Sequence, residues 1–241
     1  MILGNKKKIG KKIFKIDYLS HQIRSEIFDV YFDLKKTSRI ILNYDDNLKK
    51  LAKKLIKLGL FIAVSKGFIL HSKNNKKFSD WFVSKGKNTK KMVCFYIAKT
   101  IELANKSREM DETRNDENFG EILGYPKCCI NYVKKNGRPP TIYEAFDKYL
   151  FKNMKYNPFL WPPAMLTDSY LISHFPCKKN CKASSDLAKK KWKLLKKFTS
   201  FKIQKHFKIG LSKLYIKKKN KVFAISAKVR KKGALPQKNI C

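Results

Sequence analysis

The chain has 241 residues, 43% hydrophobic and 13% aromatic, enough apolar material for a packed core, which excludes a wholly disordered tail. Its 56 Lys and Arg against 18 Asp and Glu leave a formal net charge of +38. Such a field implies a polyanionic partner, nucleic acid first, because each cation that meets a phosphate releases condensed counterion. Lysine-rich thermophile proteins balance Lys with Glu in ion-pair networks, and that balance is missing. No stretch reaches the ~20 apolar residues of a spanning helix and the start lacks the apolar core of a signal peptide, so a cytoplasmic protein with no membrane partner is expected.

In chain order, residues 1–15 (MILGNKKKIGKKIFK) read as a basic arm, frayed in isolation. Tyr18, Leu19, Ile23, Ile27, Val30, Tyr31 and Leu34 then recur at three- and four-residue steps and predict an amphipathic helix over 17–36. Its apolar face is either a core face or a docking face, and Ile23, Ile27, Tyr31 and Leu34 are the docking candidates. Asp45 or Asp46 caps a helix with a Leu48, Leu51, Leu55, Leu58 stripe that stops at Gly59. LFIAV-SKG-FILH predicts a hairpin. Residues 73–91 read as a linker. Met92, Phe95, Tyr96, Ile101 and Leu103 predict a helix over 88–108, ending in an acidic region from Glu102 to Glu121. Those acids pair with basic surface, hold a basic partner or line a catalytic mouth.

A helix over 141–152 and an aromatic, proline-rich stretch, MKYNPFLWPPAML, come next. A long helix is expected from Lys182 to Phe201, then a hairpin around Lys219-Asn220. No acid follows Asp186, whereas nineteen Lys and Arg do. In this quarter Lys189, Lys190, Lys191, Lys193, Lys196, Lys197, Lys217, Lys218, Lys219, Lys221 and Arg230 are the candidate phosphate contacts. The fold class expected is α+β, mainly helical with small hairpins. Its two domains are a basic N-terminal region over 1–75 and a cysteine-containing domain over 76–241. GxGxxG, P-loop, HExxH and GxSxG motifs are absent from the sequence, so no nucleotide cofactor is expected.

Four of six cysteines fall into two pairs, Cys128-Cys129 in GYPKCCIN and Cys177/Cys181 in HFPCKKNC. Pro126 suits the first turn of a helix, which puts the first pair near a helix N-terminus where partial positive charge favours thiolate. A helix starting at or just before Cys181, with Lys178, Lys179 and Lys182 nearby, would do the same for the second pair. Four readings stay open: a four-thiolate site for zinc or an iron-sulfur cluster, disulfides, reactive sulfur and buried packing. His174 is a substitute ligand if one thiol cannot reach; Cys94 and Cys241 read as bystanders.

LGYPKCC followed by HFPCKKNCKAS resembles a family of archaeal proteins of unknown function built on LGYP-x-CC and FPC-x3-C-x-x-S segments, over roughly residues 88–200. The resemblance implies that the cysteines share one site. With its basic N-terminal region the chain also resembles the methanogen accessory factors of tRNA-dependent cysteine synthesis, which bridge phosphoseryl-tRNA synthetase and the enzyme that makes cysteinyl-tRNA. That implies tRNA and enzymes of aminoacyl-tRNA synthesis as partners. The function expected is an RNA-binding accessory or scaffold protein with a metal, cluster or sulfur-handling site. The rivals are an RNA-modifying or sulfur-transfer enzyme, with an acidic base and a cysteine nucleophile, and a disulfide-stapled basic structural protein.

Overall fold

The structure is a computed structural model that describes residues 2–71, 81–84, 92–137, 169–178, 180–211, 213–218 and 221–226. The expected helix over 141–152, the MKYNPFLWPPAML stretch, most of the 73–91 linker, Lys219, Arg230 and Cys241 lie outside these residues. Within them the fold is mainly helical α+β, as expected. Among the described residues no helix is long and apolar enough to cross a membrane.

The N-terminal arm is a helix, α1 (Ile2–Phe14), and not a frayed tail. Ile13 and Phe14 are buried and Ile9 packs against the same core, so a one-sided apolar stripe holds the basic segment down. Gly10 permits this contact, because a Cβ there would run into the carbonyl oxygen of Phe198. Helix α2 is shorter than predicted, His21–Tyr31, with the Ser20 hydroxyl accepting from the Ile23 amide at 3.3 Å. Arg24 donates to the carbonyls of Phe14 (2.9 Å) and Leu19 (2.7 Å), fastening the end of α1 to α2.

Strand β1 (Thr37–Asn43) leads into α3 (Asp46–Ile56), capped by Asp45 and closed by Gly59 at φ +73°, as the sequence indicates. Strands β2 (Phe61–Val64) and β3 (Phe68–His71) do not form a hairpin with each other. β2 pairs antiparallel with β5 (Met92–Ala98), and β3 pairs with β4 (Trp81–Ser84). β5 replaces the front of the helix expected over 88–108. It is the centre of a three-stranded sheet ordered β1-β5-β2, and Val93 through Ala98 are all buried. Val93, Phe95 and Ile97 point into one core cluster while Cys94, Tyr96 and Ala98 point into another. A strand covered on both faces is apolar at every position, so alternation, its usual signature, is erased.

Helices α4 (Ile101–Glu112) and α5 (Asp116–Ile122) follow, with Ala104 and Phe119 in the second cluster. α6 (Lys127–Asn136) comes next, then α7 (Lys182–Phe198) and α8 (Phe201–Leu211), and the chain pairs β6 (Lys213–Lys218) with β7 (Lys221–Ser226). The single helix expected to Phe201 thus breaks at Thr199, whose backbone is extended. Phe32 stacks on Phe198 at 4.7 Å, and Phe14 meets Phe28 at 5.7 Å and Phe207 at 6.3 Å, so rings from α1, α7, α8 and the α2 region meet. One cluster collects residues from Ile13 to Phe207. That cluster draws residues from both sides of the boundary expected near residue 75.

This packing uses the face proposed for docking. Ile27 is fully buried and Leu34 nearly so, and Ile23 and Tyr31 lie against the same core half-buried. In the folded chain α2 is a core helix.

Candidate metal centre

Pro126 is the N-cap of α6 and its carbonyl accepts from the Cys129 amide at 2.8 Å, so Cys128 and Cys129 occupy the first helical turn, as expected. The helix turns Cys129 inward and leaves Cys128 exposed. The second pair is not helical throughout. Cys181 is the N-cap of α7, its amide donating to the Lys178 carbonyl at 3.0 Å, and Cys177 lies in the segment before it. That turn brings the pairs together. Cys128 Sγ stands 3.9 Å from Cys129 Sγ and 3.6 Å from Cys181 Sγ, and Cys129 Sγ is 3.8 Å from Cys181 Sγ. All four sulfurs, Cys177 included, lie within 4.8 Å of one another, an arrangement that can hold a metal.

Bonded sulfurs would sit about 2.05 Å apart; the five described cysteines are free thiols. Cys94 is buried on the sheet, outside the cluster, as a bystander should be.

The electrostatics differ from the expected pair of thiolate-favouring sites. Burial pushes the Cys129 thiol up, outweighing the hydrogen bonds from Ser184 and the Cys177 amide. Burial also raises Cys177 to about 11, helped by the adjacent Cys181 and Cys128 sulfurs. Burial acts on Cys181 in the same sense, but hydrogen bonds from Ser184, Cys128 and Cys129 overcome it and bring that thiol down to about 7. Cys181 is thus moved toward thiolate while Cys129 and Cys177 are moved away from it; a bound cation would supply the missing positive charge for those two.

Two residues wrap the sulfurs. Ser184 Oγ lies 3.3 Å from Cys181 Sγ and 3.4 Å from Cys129 Sγ, and His174 Nε2 lies 2.8 Å from Ser184 Oγ. His174 thus faces the hydroxyl and is not one of the converging donors. Burial, with Lys35 adding to it, lowers its pKa to about 3, so the ring is neutral. Beyond it runs a buried polar seam: Lys35 donates to Ser173 and to Glu26 at 2.6 Å, and Ser38 donates to Glu26. A cleft of about 900 Å³ borders this seam, with Glu26, Lys35, Tyr125, Cys129 and His174 among its lining residues.

Part of the acidic region of the sequence pairs with basic side chains of the fold, and Asp116 and Glu117 also line the cleft. Asp111 takes both of its oxygens to Arg39 at 2.9 and 3.0 Å and accepts from Tyr96 at 2.8 Å, and Glu117 pairs with Lys134 at 2.6 Å. The cluster of sulfurs contains no carboxylate.

Of the candidate phosphate contacts, Lys189, Lys190, Lys193, Lys196 and Lys197 are exposed along α7. Lys191 is not on that surface: it is 2% exposed and forms a 2.7 Å ion pair with buried Asp29 of α2. Lys217, Lys218 and Lys221 lie in the β6-β7 ladder. The neighbouring helices add exposed Lys6, Lys7, Lys8, Lys11 and Lys12 on α1 and Lys202, Lys205 and Lys208 on α8. Across these three helices the one acid is Asp186, itself paired with Lys182 at 2.7 Å. The buried ion pairs and the Ser184–His174 contact were missed from sequence.

Searches against protein-family models, curated proteins and solved structures find no match to this chain.

Proposed function

We propose that the chain is an RNA-binding accessory protein in which Cys128, Cys129, Cys177 and Cys181 hold one zinc ion that fixes its basic helix in place. The observation that carries this reading is the position of Cys181, N-cap of the helix that presents Lys189, Lys190, Lys193, Lys196 and Lys197 to solvent. A metal there ties α7 to α6 at the point where the basic face begins. Zinc is favoured over a cluster by distance. A tetrahedral ion with bonds of about 2.3 Å spaces its sulfurs about 3.8 Å apart, against 3.6–3.9 Å among Cys128, Cys129 and Cys181 and at most 4.8 Å once Cys177 is included. A cubane cluster would hold its thiolates more than about 6 Å apart. The resemblance to accessory factors of tRNA-dependent cysteine synthesis extends the reading to tRNA and to enzymes of aminoacyl-tRNA synthesis as partners.

Anaerobic purification with metal analysis and thiol titration tests the site. About one zinc per chain is expected; less than ~0.2 metal with four reactive thiols would overturn it and hand the cysteines to sulfur chemistry. Affinity for tRNA should fall steeply between roughly 50 and 200 mM salt, and a flat response would defeat the polyanion reading.

A further inference from the structure

We propose that Ser184 is the positioning residue of this centre: its hydroxyl, held by His174, bridges Cys129 and Cys181 and sets the two sulfurs at the spacing that takes up a thiophilic divalent ion. The inference rests on the metal reading above. Ser184 is fully buried in the first turn of α7. Its oxygen is within 3.4 Å of a sulfur from α6 and within 3.3 Å of a sulfur from the α7 cap, residues otherwise 52 positions apart.

A hydroxyl has one proton and two lone pairs, so its three neighbours cannot all be served alike. Metal-bound thiolates have no proton to give. The Ser184 proton therefore goes to Cys181 Sγ at 3.3 Å, with Cys129 Sγ in contact at 3.4 Å, and its oxygen accepts from His174 Nε2–H at 2.8 Å. This assigns the His174 tautomer and leaves Nδ1 bare, consistent with its lack of a hydrogen-bond partner among the described residues. The ring is fixed on its other side by Tyr125, centroids 5.0 Å apart. Hydrogen bonds of this kind orient ligands and moderate thiolate charge, and their loss commonly costs 10–100-fold in metal affinity.

Cobalt(II), added to the full-length chain, is the probe, because its thiolate-to-metal charge-transfer band reports both occupancy and sulfur electronics. Ser184→Ala is expected to bind cobalt about 10–100-fold more weakly and to shift that band, while Cys94→Ser matches wild type. His174→Leu, which removes the holder but leaves the hydroxyl, should weaken binding by a smaller factor and move the band in the same direction. It also serves as the readout if Ser184→Ala fails to fold. Wild-type affinity and spectrum in whichever of these two variants folds would overturn the positioning role while leaving the metal site standing. No cobalt uptake by the wild-type chain would remove the metal reading itself, and this role with it.

Discussion

Lys190 and Lys191 are neighbours in a run of three lysines, yet one faces solvent and the other ends on Asp29 inside the protein. The signal that separates them is periodicity: Ser184, Ala188, Lys191, Leu195 and Phe198 recur at three- and four-residue steps and are all buried. Charge hid this from a reading that counted lysines. Removing one partner of a buried pair strands the other, so Lys191→Met should destabilise the protein by about 3–5 kcal/mol in urea unfolding. Lys190→Met should change stability by less than about 0.5 kcal/mol while reducing the salt slope of RNA binding by about one. Equal effects of the two substitutions would contradict this assignment.

At the scale of elements, the junction of α2 with α8 contains a stacked pair, His21 and His206, with ring centroids 3.9 Å apart. Burial, then the nearby His206, Arg24 and Lys202, lowers the His21 pKa to about 4. Its folded pKa lies below its unfolded one, so the stability it contributes is present above about pH 6.5 and is lost as pH falls toward 4. The ring is partly exposed, so the effect is on the order of 1 kcal/mol. His21→Phe keeps an aromatic stack without the titration. Its unfolding midpoint should fall less than that of wild type between pH 7 and pH 4.5; identical pH profiles would refute the role of this contact.

Elements were legible in proportion to how locally they are specified. α3 announced itself by its Asp45 cap, leucine stripe and Gly59, and α6 by Pro126. β5 was misread because burial on both faces depends on what packs against it, and MVCFYIA has no period to report that.

For the molecule as a whole, the sheet, α1, α2 and α7 share one core, while the cysteine centre joins α6 to the start of α7. On the function proposed above, chelating the metal should lower the thermal midpoint and weaken RNA binding together, and readdition of zinc should restore both. Loss of metal with RNA affinity unchanged would separate the centre from the basic face. Salt should act in opposite directions on the two properties, screening the self-repulsion of a +38 chain and so raising stability while it weakens RNA binding.

By itself the sequence determined the excess of positive charge, the pairing of the cysteines into two segments, and the helices whose caps and stripes are local. Tertiary structure alone decided that the four sulfurs meet, that Ser184 and His174 stand behind them, that Lys191 turns inward and that the proposed docking helix is core. Caps and periodicity are interactions between residues a turn apart, written in adjacent letters. The convergence of Cys129 and Cys181 depends on how α6 and α7 pack across 52 residues of chain, which no local pattern encodes.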